Sequence, residues 1–236
     1  MDSEHPVPAE LRHLVQSISL STGTAGDPVT VAPDTATGLV FCEHGGAAVI
    51  GPRTRAGYHV GEPVSRVVVR LQPGRARLLL GRTAKDLVDR VVPLPWAGID
   101  LDGVLDGELS DLLLTRAAAR SRRETAHSDL AHLAATILTQ GTGIRAAARR
   151  LHFSERQLRT IFTDTVGISL KQFTRIDRLR TVLAGAGRGS WSDLAVAAGY
   201  YDQAHLTVEF RTIMGVPPAS FMSGRLPSAT LCTVTP

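Results

Sequence analysis

The tightest constraint in this sequence is a match of its second half to itself at an offset of 48 residues. Gly141 falls on Gly189, Ala147 on Ala195, Leu158 on Leu206, Phe162 on Phe210, Gly167 on Gly215 and Phe173 on Phe221. Ser154 falls on Asp202, and both residues are good helix N-caps. A fixed period of this size is a repeated structural unit. Each copy reads as a short helix, a tight turn and a longer helix. The alanines stand midway along the first helix, where a partner helix must approach closely. Leu158/Phe162 and Leu206/Phe210 are i, i+4 pairs and form one buried stripe on each longer helix. The opposite face carries Glu155, Arg156, Arg159, Thr160 and Thr163 in the first copy. In the second it carries Gln203, Ala204, Thr207, Val208 and Arg211. This is a helix-turn-helix pattern: an apolar face holds each longer helix and an outer face is left to enter a DNA major groove.

The rest of the second half fits the same all-helical reading. Alanine, leucine and arginine dominate it. Helices are predicted over 128–139, 144–151, 155–166, 170–184, 192–198, 203–214 and 218–222. Gly141, Gly167, Gly185, Gly199 and Gly215 are their expected stops. Ser154 with Gln157 is a capping box, and Ser190 with Asp193 is a weaker version of it.

The first half reads differently. Short apolar stretches at 29–31, 38–42, 47–50, 65–71 and 76–80 are cut by glycine and proline turns, which predicts strands of a sandwich or barrel. A short helix is expected at 83–90 and extended chain at 91–96, where Pro93 and Pro95 forbid helix. A helix at 105–120 leads into the second half. The expected division is a β-rich regulatory, sensor or dimerisation domain at 1–120, an all-α DNA-binding domain at 121–226 and a flexible tail at 227–236. The fold class is therefore α+β with two domains, the second holding two helix-turn-helix units joined by a linker helix.

Charge follows the same division. Residues 1–120 carry 12 basic and 14 acidic side chains, whereas residues 121–236 carry 14 and 8. A basic half beside a slightly acidic one suggests a polyanion-binding module joined to something else. Two cysteines, Cys42 and Cys232, make neither a disulfide framework nor a four-thiolate zinc site, which points to a reduced, cytoplasmic protein. No apolar run approaches the roughly 20 residues that span a bilayer, so no membrane partner is expected.

Catalytic signals are weak. His44 and His59 lie near Glu43 and Glu62, but a metal cupin wants more histidines, so no metal and no cofactor is expected. Cys42 reads as a buried apolar cysteine, and Gly45-Gly46 as a turn without the lysine of a phosphate loop. Trp96 and Trp191 read as core. No nucleophile elbow, paired-carboxylate motif or kinase-like string is present, and the chain is not expected to be an enzyme.

Two strings carry a family resemblance. The first is Ser154-x-x-x-Leu158-x-x-x-Phe162 with Gly167. The second is Gly199-Tyr200-x-Asp202-Gln203-Ala204-His205-Leu206-x-x-x-Phe210 with Gly215-Val216-x-Pro218. The segment 144–221 resembles the DNA-binding domain of AraC/XylS-type transcription regulators. The first half more loosely resembles the β-rich domain of an actinobacterial-type subgroup. Its carriers are Ala32-Pro33-Asp34, Gly51-Pro52-x-Thr54, Arg70-Leu71-Gln72-Pro73-Gly74 and Leu87-Val88-Asp89-Arg90-x-Val92-Pro93-Leu94.

The resemblance implies that the first turns of both longer helices touch base edges. The residues at those positions are Arg156, Arg159 and Thr160, then Gln203, Ala204, Thr207 and Val208. Arginine can grip guanine O6 and N7 together, worth ~1–3 kcal/mol of discrimination per pair, and Gln203 could read adenine similarly. Ala204 and Val208 offer apolar contact only, such as with a thymine methyl. Similar proteins often carry arginine where Val208 stands, and Glu209 beside it adds negative charge. That departure favours a first unit that dominates specificity and a second that mainly positions. Arg145, Arg149, Lys171, Ser192, His205 and Arg211 are the expected phosphate contacts. The expected partners are double-stranded promoter DNA, RNA polymerase, a small-molecule effector and a second copy of the chain. The implied function is a sequence-specific DNA-binding transcription regulator, an activator by resemblance, whose first domain modulates promoter binding. The alternatives are a cupin-like metal or enzymatic module, or a protein-interaction module, carrying a DNA-binding appendage.

Overall fold

The computed structural model describes residues 2–43, 46–61, 63–94, 96, 99 and 101–231. A β-rich first half is followed by a helical second half. The main sheet has six antiparallel strands in the order β1 (Asp2–His5), β2 (Val15–Thr22), β7 (Ser65–Leu71), β4 (Gly38–Cys42), β5 (Ala47–Ile50) and β8 (Val91–Pro93). Strand β7 shows why it sits in the centre. Val67, Val69 and Leu71 alternate with more exposed neighbours and are each 0% exposed, so one face is wholly inward. A smaller sheet pairs β3 (Pro28–Val31) with β6 (Gly57–Val60). The chain end returns to this sheet as β9 (Thr230–Leu231), parallel to β6. The tail, expected to fray, is thus tied down at 230–231, while Cys232 and the residues after it lie outside the described set.

Three expectations for the first half are corrected. The stretch 76–80, expected as a strand, lies in a helix, α1 (Arg75–Leu80). Gly74 at φ +85° reverses the chain after β7, and the segment RARLLL is built of good helix formers without β-branches. A short apolar run has no period to distinguish the two states. The helix expected at 105–120 begins only at α3 (Glu108–Ala118), because Gly107 at φ +100° separates it from a further helix, α2 (Leu101–Leu105), that was not foreseen. Around 83–90 only a short 3-10 turn forms, at Ala84–Leu87. Strands β1, β2 and β6 were not foreseen.

The helical half runs α4 (Arg122–Thr139), α5 (Ile144–Arg150), α6 (Glu155–Val166), α7 (Leu170–Gly185), α8 (Trp191–Ala197), α9 (Gln203–Met214) and α10 (Pro218–Met222). Capping boxes start α4 at Ser121/Glu124, α6 at Ser154/Gln157 and α7 at Ser169/Gln172. Single side-chain caps from Ser190 and Asp202 start α8 and α9. Each cap satisfies a backbone N–H that the helix cannot. Gly185, expected as a stop, belongs to α7, and the left-handed turn comes at Gly187 with φ +83°.

Three hydrophobic cores result among the described residues. The first joins the main sheet to α1, α2 and α3, with Leu39, Phe41, Leu79 and Leu113 among its members. The second lies among α4, α5, α6 and the start of α7, and the third among the end of α7, α8 and α9. Helix α7 therefore serves two cores: Leu170, Phe173 and Ile176 enter the second, Leu179 and Val182 the third. A row with three-residue spacing drifts about 60° per step around a 3.6-residue helix. That drift turns the two ends of α7 toward different partners.

Candidate nucleic-acid interface

Two units repeat the same helix pair. Helices α5 and α6 form one and α8 and α9 the other. Ala147, Ala195, Leu158, Leu206, Phe162 and Phe210 are all 0% exposed, so the repeated residues are the packing residues of both units. The longer helices correspond at the offset of 48, from cap to C-terminal glycine. The first helices correspond at 47. Phe153 N–H donates to Ala148 O as Tyr200 N–H donates to Ala195 O, and His152 at φ +59° stands where Gly199 stands at φ +75°. Ala148, not Ala147, is thus the structural counterpart of Ala195. The second turn holds one additional residue before its cap, and that residue is Tyr201.

The reading positions are on the outside. Arg156, Arg159, Thr160, Gln203, Ala204 and Val208 are exposed, and Thr207 is half-buried. Glu155 organises the first face, because Arg145 Nε donates to its Oε1 at 3.1 Å and Arg159 donates to its Oε2 at 3.1 Å. Those two guanidinium groups hold the Glu155 carboxyl below its ordinary pKa. The threonine hydroxyls turn back to their own helix, Thr160 to Arg156 O at 3.1 Å and Thr207 to Gln203 O at 2.8 Å. Each keeps acceptor capacity for an outside donor. Of the expected phosphate contacts, Arg145, Arg149, Lys171, Ser192, His205 and Arg211 are all exposed. His205 lies edge-on to the Tyr200 ring at 5.4 Å. A cleft of about 670 Å³ separates the units, bordered by Gly141, Ile144, Asp177, Arg178, Thr181 and Gly199.

Glu209 does not belong to the outer face. It is 7% exposed and points toward the linker helix. Arg175 Nε donates to its Oε2 at 2.8 Å, Tyr200 Oη donates to Oε1 at 3.0 Å, and Arg178 lies 3.8 Å from Oε1. Arg178 also covers the Tyr200 ring at 4.9 Å and donates to Gly199 O at 3.2 Å. Burial and the adjacent carboxylate raise the Tyr200 pKa, which keeps the phenol a donor. The negative charge expected beside Val208 is therefore neutralised inside the protein. The helical wheel contained the signal: Glu209 is three residues after buried Leu206 and four before Ile213, on the packed side of α9.

The first half meets both longer helices at their C-terminal turns. Lys85 Nζ lies 2.6 Å from Asp164 Oδ1. Gly167, at φ +92°, follows α6 so closely against the 3-10 turn that a Cβ there would fall 2.6 Å from Ala84 O. At the other unit, Ala56 N–H donates to Ile213 O at 3.0 Å and Tyr58 Oη donates to Met214 O at 2.6 Å. Between them Asp34 accepts from Arg70 Nε at 2.8 Å and lies 3.3 Å from Arg180 of α7. At the base, Arg75 is 6% exposed and binds His13 O at 2.9 Å, Ser128 Oγ at 2.8 Å and Asp129 Oδ1 at 2.6 Å. Sequence reasoning missed all of these contacts, because each joins residues that only the tertiary fold brings together.

Other signals are quieter. Among the described residues no three histidine, cysteine or acidic side chains form a metal-holding group. His44, Gly45 and Glu62 lie outside the described residues. His59 Nδ1 is 3.2 Å from Thr230 Oγ1. Cys42 is half-buried rather than buried. Trp96 is buried beneath Arg116, and Trp191 packs edge-on to Phe210 at 5.7 Å. No helix among the described residues is long and apolar enough to cross a membrane.

Residues 147–224 match a family model described as a helix-turn-helix domain. No curated protein matches the chain. Among solved structures, the C-terminal domain of AraT, a response regulator from Geobacillus stearothermophilus, is similar at 20% identity. That match covers 42% of this chain and 88% of that one, with a TM-score of 0.37. ToxT from Vibrio cholerae is similar at 9% identity, over 87% of this chain and 98% of that one, with a TM-score of 0.45. The transcriptional regulator CdpR from Pseudomonas aeruginosa is similar at 18% identity, over 69% and 46%, with a TM-score of 0.36.

Proposed function

We propose that this chain, whose residues 147–224 match a helix-turn-helix domain, is a sequence-specific regulator of transcription of the AraC type rather than an enzyme. The observation that carries the reading is the pair of capped helices, α6 and α9, whose first turns are exposed while the first half holds their last turns. Joined by one helix, the two units suit successive major grooves roughly 34 Å apart on one DNA face. Arg156, Arg159, Thr160, Gln203, Ala204, Thr207 and Val208 face bases. Arg145, Arg149, Lys171, Ser192, His205 and Arg211 contact phosphates. The two arginines give the first unit the stronger hydrogen-bonded reading, directed at guanine.

The first half, 1–120, is the regulatory part. Its contacts at Asp34–Arg180, Ala56–Ile213 and Tyr58–Met214 bear on the linker helix and second unit together, so an effector or a second copy acting on it changes how α9 is held. Residues 121–226 bind promoter DNA in the cytoplasm, and the resemblance favours activation through RNA polymerase.

The test is selection from random duplexes with the full chain at one fixed salt concentration, because phosphate contacts make affinity steeply salt-dependent. A motif spanning two adjacent major grooves is expected, with its guanine half lost in Arg156→Ala/Arg159→Ala. No enriched motif from folded protein refutes the reading. For regulation, Asp34→Ala is expected to change affinity for the selected duplex about fivefold or more. Unchanged affinity would remove the Asp34 contact from the regulatory path.

A further inference from the structure

The two reading faces are chemically unlike. Alignment from cap to cap sets Arg156 against Ala204, Arg159 against Thr207 and Thr160 against Val208. Two guanidinium groups on α6 are thus replaced on α9 by a methyl and a hydroxyl. Val208 is 67% exposed and Tyr201 91% exposed, so two large side chains stand in water around the start of a recognition helix. Tyr201 is the residue that the second turn has in addition to the first. Glu209 is turned inward and paired with Arg175, and the Asp202 carboxylate at the cap accepts from His205 N–H at 2.7 Å.

We infer that the second unit reads thymine, with Ala204 and Val208 packing against the 5-methyl groups of the major-groove edge and Tyr201 closing the patch from the turn. This rests on the DNA-binding reading above. The occupant follows from position. The patch continues the proposed DNA face of α9, between exposed Gln203 and exposed Arg211, and Gln203 suits the adenine paired with such a thymine. A thymine methyl is the one apolar group that a base pair offers in the major groove. The face is also fixed in advance, because Glu209 and Arg175 tie α9 to the linker helix at 2.8 Å.

The experiment uses the full chain and its selected duplex, with thymine replaced by uracil in one half-site at a time. Uracil lacks only the methyl. Replacement in the second unit's half is expected to weaken binding about three- to fourfold for each methyl contacted. Replacement in the first unit's half is expected to leave affinity unchanged. Val208→Ala and Tyr201→Ala, both at exposed positions, are expected to weaken binding and blunt the uracil effect. Val208→Arg is expected to move the preferred base from thymine to guanine. Sequence-selective binding that tolerates uracil in both halves overturns the inference and leaves the regulator intact. Selective binding indifferent to Val208→Ala and Tyr201→Ala also overturns it. Absence of any selective binding by folded protein refutes the regulator reading itself.

Discussion

Removing the Glu209 carboxylate tests how the second unit is held. Its side chain is 8% exposed, and it receives Arg175 at 2.8 Å and the Tyr200 hydroxyl at 3.0 Å. In Glu209→Ala the hydroxyl of Tyr200, itself 5% exposed, loses its acceptor, at a cost of about 1–3 kcal/mol. The charge-assisted bond from Arg175 would be worth about 1.5–3 kcal/mol if buried. Arg175 is 30% exposed, so water takes over part of that role. The net expectation is about 3 kcal/mol of destabilisation for alanine and about half of that for glutamine, which keeps one acceptor. Guanidinium unfolding followed by circular dichroism measures the loss, and hydrogen exchange across α9 locates it. A double-mutant cycle with Tyr200→Phe should return a coupling of about 1 kcal/mol. A cost below about 1 kcal/mol for Glu209→Ala, or strict additivity with Tyr200→Phe, would refute the argument that this pair is structural.

Other expectations concern the joints and the charged face. Gly167→Ala combines φ +92° with a Cβ 2.6 Å from Ala84 O, so it should destabilise by about 2 kcal/mol or more in thermal or chemical unfolding. His132 of α4 is half-buried, and burial with the neighbouring Arg75 lowers its pKa below the usual 6.5 against a smaller opposing pull from Asp129. The neutral ring is thus favoured by folding, so its stability contribution is present above pH 6.5 and lost as pH falls through the lowered folded value. Melting temperatures between pH 7.5 and 5 should fall less in His132→Gln than in the parent. Arg149→Ala should reduce the slope of log affinity against log salt by about 1, without changing the preferred sequence.

The helical half was legible because its signals are local and repeated. Leu158, Phe162, Leu206 and Phe210 carry the helical period, and Ser154 and Asp202 mark the starts. The same alignment misjudged the first helices by one residue, because Tyr201 lengthens the second turn and equal spacing hides an insertion that short. Glu209 was misread for a different reason: charge was given more weight than angular position on the wheel. In the first half, valine-rich β7 was plain, whereas β2 mixes serines with apolar residues and β6 has only the sequence GYHV. The run 76–80 has no period that separates helix from strand, and the cues that decide it, Gly74 ahead of it and the lack of β-branched residues in RARLLL, are weaker than its apolar character. The contacts of Asp34, Ala56, Tyr58 and Arg75 with the helical half join residues 53 to 157 positions apart, beyond any periodic pattern.

Helix α7 is divided between two cores, and this gives an order to biosynthesis. Leu170, Phe173 and Ile176 complete the second core before Leu179 and Val182 have anything to pack on, because α8 and α9 are still to be made. On the ribosome, where domains fold as they emerge, the first unit can be finished and the linker half-anchored while the second unit is still being translated. The downstream end of α7 then serves as the template on which α8 and α9 assemble.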